Sequence, residues 1–222
     1  MENGKRITVK LKYGQTHFKI MIDPEAGKTR NTTHEINSLI INRWSPRSFM
    51  PEEISDKELF TLFEAARWAP SSSNSQPWRF IYAKRNSKNW NTLFELLVDF
   101  NKQWCSNASV LVVIVSRKNF EHNGQPSITH QFDTGSAWEN MAIQAVSQGL
   151  ITHGMAGFDY QKARKDLQVP EDYDVLAMVA IGKKGPKEKL SPELQAREVP
   201  STRKPLSEIV MEGKFGNAAN MS

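Results

Sequence analysis

Apolar positions recur every second residue in some stretches of this chain and every third or fourth in others, and the change of period marks its elements. Ile7 to Tyr13 and Phe18 to Ile22 alternate with period two on either side of Gly14-Gln15. That pattern predicts a hairpin with one apolar face, an N-terminal appendage over residues 1–30 that ends in the turn-like linker Asp23 to Gly27. Thr32-x-x-Glu35 has the form of a capping box and predicts a helix that turns Ile36, Leu39 and Ile40 to one side. Ser55-x-x-Glu58 is a second such box, opening a helix with Leu59, Leu62, Phe63 and Ala66 inward and ending before Pro70.

Trp78 to Ala83 reads as a strand, Trp90 to Phe100 as an amphipathic helix, and Val110 to Ser116 as a continuous apolar strand covered on both faces. Gly124 to Thr129 reads as a loop. Asp133-Thr134 can cap a deeply placed helix through Ala137, Met141, Ala145 and Val146, with Gly149 as its terminator. Gly154 to Gly157 reads as a tight turn, Tyr160 to Leu167 as a short helix ended by Pro170, and Val175 to Ile181 as another buried strand. From Gly182 onward the chain is rich in lysine and proline, too long and too poor in period to fold on itself, a tail of the kind that wraps a partner. Alternating helices and strands give a layered α/β or α+β domain over residues 31–222.

Composition narrows the class. The 222 residues carry a net charge of +5, spread along the chain rather than gathered into a stripe. A solvated basic surface accounts for it, and so does a basic mouth for an anionic cofactor or electron donor; no nucleic-acid motif accompanies it. The single cysteine, Cys105, cannot form an internal disulfide and has no activating neighbour in sequence, which predicts a reducing compartment and a buried structural thiol. The longest apolar run, Val110 to Val115, is far too short to cross a bilayer, and no secretory pattern opens the chain, so the expectation is a soluble cytoplasmic protein without a membrane or nucleic-acid partner.

Familiar catalytic patterns are missing. No strand runs into a Gly-x-Gly-x-x-Gly helix start, no glycine-lysine phosphate loop occurs, no spacing of His, Cys, Asp and Glu resembles a metal site, and no nucleophile elbow surrounds Ser71 to Ser73. His153 precedes the glycine-rich turn and can face a pocket, although a satisfied structural histidine is the commoner case. What remains are two dense segments. Arg43-Trp44-Ser45-Pro46-Arg47 gathers two guanidiniums and a hydroxyl; Pro46 disfavours helix at Ser45, and in extended chain Arg43, Ser45 and Arg47 point the same way. Ala69 to Trp78 is a loop of hydrogen-bonding side chains between prolines. Near the C-terminus Arg203-Lys204-Pro205-Leu206 adds fixed positive charge. One group suits a phosphate and the other a polar planar ligand, so the chemistry points to a bound redox cofactor rather than to side chains.

Those residues carry a family likeness. Arg43-x-Ser45-x-Arg47-x-Phe49, then Ala69-Pro70-Ser71-Ser72-x-Asn74-x-Gln76-Pro77-Trp78, then Asp133-x-Gly135-x-Ala137-x-x-Asn140-Met141, then Gly149-Leu150 with Gly154 to Phe158, and finally Arg203 to Leu206 occur in the order of the FMN-dependent nitroreductase family, which the chain resembles from about Thr33 to Val210. The resemblance implies an α+β fold with a central, mostly antiparallel sheet flanked by helices. It implies an intertwined homodimer that exchanges C-terminal tails and holds two FMN molecules between subunits.

Roles follow by position. The resemblance assigns Arg43, Ser45 and Arg47 to the FMN phosphate and ribityl chain, with Trp44 shaping the segment. Arg203 goes to the same phosphate, assisted by Lys204. Ser71, Ser72, Ser73 and Asn74 go to the flavin of the other subunit, with Gln76 beside them. Asn101 goes to the pyrimidine edge, and the backbone of Met155, Ala156 and Gly157 to the flavin edge near N5. Glu139 has a structural or dimer-interface role. The implied activity is ping-pong transfer of two electrons from NADH or NADPH through flavin N5 to a small-molecule acceptor such as a nitroaromatic or a quinone, with no catalytic side chain. The ending Arg203 to Leu206 also resembles the iodotyrosine deiodinase branch, a reductive dehalogenase, although Phe100 to Ser106 lacks a clear Glu, Tyr and Lys lid set. A basic binding protein without redox activity is the third reading.

Overall fold

Val110–Arg117 is the strand around which the molecule is built, because every residue but the last is buried. Its side chains alternate between two faces. Leu111, Val113 and Val115 join one apolar cluster, and Val110, Val112 and Ile114 join another. A continuous apolar run is therefore what this position requires, with each valine or leucine worth about 1.5–3 kcal/mol on burial. The computed structural model describes Ala26 and residues 29–220. The predicted N-terminal hairpin lies outside the described residues.

Four strands, β1 (Trp78–Lys84), β2 (Val110–Arg117), β3 (Leu150–Met155) and β4 (Tyr173–Lys183), form one sheet in the order β1-β2-β4-β3. All neighbours are antiparallel, and a register shift at Ile114/Val115 bulges the β2–β4 pair. Helices cover both faces. On one side lie α1 (Ser38–Asn42), α2 (Asp56–Arg67) and α5 (His130–Ser147). Leu59, Leu62 and Ala66 of α2 meet Ala137, Met141 and Ala145 of α5 there, over Val110, Val112, Val179 and Ile181. On the other side α3 (Trp90–Phe94), α4 (Asp99–Cys105) and α6 (Tyr160–Asp166) pack with Phe49 and Trp104 on Leu111, Val113, Met178 and Ala180. The result is the mixed α+β architecture with an antiparallel sheet that the family likeness implied. Among the described residues no helix is long and apolar enough to cross a membrane.

Ser55 does cap α2, accepting from Glu58 N–H while the Glu58 carboxylate accepts from Ser55 N–H. Five expectations need correction. Among the described residues Thr32 caps no helix; α1 begins only at Ser38, where the Asn37 side chain accepts from Leu39 N–H at 2.9 Å. The helix expected over Trp90 to Phe100 is broken in two, because Leu97 leaves helical geometry to bridge Phe158 and Val98 N–H donates to the Gly157 carbonyl. Asp133 is not the cap of α5 but lies in its first turn, after Thr129. Gly154 and Met155 belong to β3 rather than to a turn, paired with Val179 and Met178. The tail after Gly182 does fold in part on its own chain. A 3₁₀ turn (Lys187–Lys189) and α7 (Pro192–Arg197) bury Leu194 and Glu198, whereas from Ser201 to Asn220, including α8 (Leu206–Ile209), nearly every residue is exposed.

Candidate anion site

Residues 43–47 run extended out of α1, and burial alternates along them: Asn42, Trp44, Pro46 and Ser48 face inward while Arg43, Ser45 and Arg47 share the more open side. The predicted convergence of those three side chains is therefore present. Three side chains anchor the strand-like segment. One Arg30 guanidinium nitrogen donates to the Ile41 and Arg43 carbonyls, each at 2.6 Å. The Glu198 carboxylate, 2% exposed, accepts from Arg47 N–H at 2.8 and 3.0 Å and from Ser48 N–H at 2.9 Å. His153 Nδ1 lies 3.0 Å from the Pro46 carbonyl, which assigns it a proton at Nδ1. Beyond the segment, Met50 N–H donates to the Lys183 carbonyl at the end of β4.

The open side looks into a cavity of about 260 Å³. Among the described residues five guanidiniums line it: Arg43 and Arg47 from the segment, Arg30 before it, and Arg197 and Arg203 from the C-terminal stretch. Ser45, Ser201 and the imidazole of His153 complete the polar lining, and Trp44 and Val199 are the apolar part. Arg43 Nε is 3.4 Å from a Glu139 carboxylate oxygen, which gives Glu139 a charge-balancing contact. Burial and the neighbouring Arg197 hold the Arg47 guanidinium below its usual arginine range, with Glu198 acting the other way. Among the described residues Arg47 Nε is buried and has no hydrogen-bond partner. Burial, opposed by the Pro46 carbonyl and reinforced by Arg47, pushes the His153 imidazole down to about 4. His153 also packs on the Trp104 ring at 4.5 Å between centroids. So many like charges on one small cavity, with a buried donor left over, suit a multiply charged anion with several acceptor oxygens. A phosphate monoester meets that description.

The other predicted residues lie elsewhere. Lys204 is off the cavity, 3.8 Å from the Glu208 carboxylate. Ser71 is half-buried, and Ser72, Ser73 and Asn74 are exposed on a 3₁₀ turn that is not part of the cavity lining. Ser73, Asn74 and Gln76 all have positive φ (51°, 53° and 47°), a strained backbone for residues other than glycine. The turn is pinned where Ser72 N–H donates to Asp133 at 3.1 Å and Gln76 N–H to Ser71 Oγ at 3.0 Å. Asn101 and Gly157 do meet, since Asn101 Nδ2 donates to the Gly157 carbonyl at 2.9 Å. Ala156 beside them is exposed. The Met155 side chain is buried, with its sulfur 3.5 Å from Cys105 Sγ, so only its backbone is left to meet a ligand. Burial pushes the Cys105 thiol far up, as befits a structural residue.

Arg30, Arg197, Val199 and Ser201 were not singled out in sequence. Arg30 lies at the end of the stretch read as an N-terminal appendage and the other three in the aperiodic tail, so no local pattern could have joined them to Arg47. One further arrangement imitates a catalytic triad: His130 Nδ1 is 2.9 Å from Ser116 Oγ and its Nε2 is 3.8 Å from Asp174. Ser116 is fully buried and its hydroxyl is engaged by the His130 carbonyl and by Thr134, so it ties β2 to α5 and offers no nucleophile. Among the described residues no group of three or more His, Cys, Asp and Glu side chains is placed to hold a metal ion.

Comparison with known proteins agrees with the fold and the motif order. The model of the nitroreductase family matches residues 40–183. A crystal structure described as an oxidoreductase containing FMN superposes with a TM-score of 0.81 at 41% identity, over 85% of this chain and 96% of that one. Protein DrgA of Synechocystis sp. is 28% identical over 65% of this chain and 82% of its own. A putative NADH dehydrogenase/NAD(P)H nitroreductase of Archaeoglobus fulgidus is 26% identical over 67% of this chain and 84% of its own. With well over half of its length matched by the family model, the chain belongs to the nitroreductase family.

Proposed function

We propose that this protein is an FMN-dependent oxidoreductase that takes electrons from NADH or NADPH and delivers them to small electron-poor acceptors, nitroaromatics and quinones among them. The observation that carries the reading is the arginine-lined cavity, with its buried and unpartnered Arg47 Nε. The residues present fit the 5′-phosphate of FMN: Arg43, Arg47, Ser45 and Arg203 supply donors that match phosphate oxygens in number and charge. Bound FMN supplies two-electron redox chemistry that no side chain here offers.

The chain's own residues bind and orient. Arg43 and Arg47 fix the phosphate end, and Trp44 and Pro46, both buried, keep the segment rigid. The Asn101–Gly157 pair offers polar edges near the end of β3, where the missing Gly157 side chain lets the Asn101 amide pack against the Gly157 backbone. The strained Ser71–Asn74 turn, displayed on the surface, serves the ring of a second copy's cofactor in a homodimer, and the exposed 201–220 stretch reaches that copy. Donor and acceptor use one site in turn, which gives ping-pong kinetics.

Purified protein is the test. A yellow preparation with about one FMN per chain, reduced anaerobically by a nicotinamide in stopped flow and reoxidised by a quinone or nitroaromatic, supports the reading. A chain that takes up no flavin from excess FMN, or whose bound flavin neither nicotinamide reduces, overturns it. Turnover of a halotyrosine instead would move the protein to the dehalogenating branch.

A further inference from the structure

The cavity is closed by the C-terminal stretch of the same chain, and the closure depends on contacts of two kinds. Glu198 is the mechanical one: its buried carboxylate receives the N–H groups of Arg47 and Ser48, 150 residues away in sequence. Ser48 Oγ donates to the Pro186 carbonyl at 2.7 Å, and Arg30 Nε donates to the Ser201 carbonyl at 3.1 Å, so the stretch is tacked down at both ends. Arg197 is the electrostatic one. It faces the cavity beside Arg47, with its guanidinium carbon 5.3 Å from the Phe100 ring centroid.

Docking the stretch therefore brings Arg197 and Arg203 up to Arg43 and Arg47. Like charges at close range oppose that approach in a partly desolvated cavity, and an anion between them reverses the sign. Anything that favours the docked stretch then favours the anion, and the converse holds equally, because linkage is reciprocal. We propose that Arg197 is a phosphate-binding residue of this chain and that residues 186–203 form a strap, positioned by Glu198, which a bound phosphate monoester and the closed cavity stabilise together. The inference rests on the FMN reading for the identity of the ligand, while the strap itself needs only a phosphate.

Two measurements on the full-length chain, freed of flavin, decide it. The first is titration with FMN and with riboflavin, which lacks the phosphate, for wild type, Arg197→Ala and Arg197→Lys. Removing one charge-assisted contact should weaken FMN binding about tenfold to a hundredfold and leave riboflavin binding unchanged, with the lysine variant intermediate. The second is amide hydrogen exchange across 186–203. FMN and millimolar inorganic phosphate should both slow exchange there, riboflavin should not, and Arg197→Ala should lose most of the phosphate effect. An FMN-to-riboflavin affinity ratio unchanged in Arg197→Ala overturns the ligand role. Equal protection by FMN and riboflavin, or none by phosphate, overturns the strap. A wild-type chain that binds neither flavin but is protected by phosphate sinks the proposed cofactor and leaves the strap standing.

Discussion

The two halves of the proposed site are built in opposite ways. The anion cavity is assembled inside one chain from three distant stretches, around Arg30, Arg43 to Arg47 and Arg197 to Arg203, and is cross-tied by Glu198. The Ser71–Asn74 turn stands apart from it, exposed, pinned to Asp133 and strained in its own backbone. Charge has to converge to be useful, so the phosphate half must be complete wherever it occurs. A planar ring needs only an edge and a cover, and those can come from separate places.

Acid should separate the halves most strongly. The His153 imidazole is held down to about 4 against 6.5 when unfolded, so between those values the unfolded chain binds the extra proton. Stability attributable to His153 is therefore intact above pH 6.5 and is lost as pH falls towards 4, by about 3 kcal/mol in all. Denaturant titrations across this window should show the loss, and His153→Gln should flatten it. An identical acid limb in the variant would assign the effect elsewhere.

Next in size is Arg47→Ala, which removes the half-buried donor from the cavity. It should cost about 1.5–3 kcal/mol of FMN affinity and leave riboflavin affinity alone, as read by flavin fluorescence. Equal losses for both flavins would mean that the segment had collapsed. Gly157→Ala attacks the other half. A Cβ there would stand 2.7 Å from Asn101 Nδ2 and 3.2 Å from Val98 Cγ2. Overpacking of this kind should cost about 1–3 kcal/mol of stability in thermal melts while phosphate binding persists. Smallest is Ser73→Gly, which relieves a positive φ of 51° and should change stability by less than about 1 kcal/mol, in the favourable direction. A clear destabilisation would show that the Ser73 side chain, rather than its backbone, holds the turn.

Local patterns were legible wherever local physics decides. The Ser55 capping box, the all-apolar β2 and the period-two alternation of Arg43, Ser45 and Arg47 all appear as read from sequence, because each depends on neighbours a few residues away. What failed depended on distant partners. The break after Phe94 exists because Leu97 and Val98 bond to Phe158 and Gly157. Gly154 and Met155, the end of β3, looked like part of a turn because the pairing that makes them strand lies on β4. Arg30 and Arg197 escaped for the same reason: only the folded chain brings them beside Arg47.

Cys105 has one more consequence. Its thiol is sealed against Met155 and carries essentially no thiolate, and the chain has no second cysteine. Quinones, among the acceptors proposed above, add to thiolates readily, so an accessible thiolate would be a liability on that reading. Here the native molecule should be inert to maleimides and become labelled only as it unfolds, which makes Cys105 a built-in reporter of global opening.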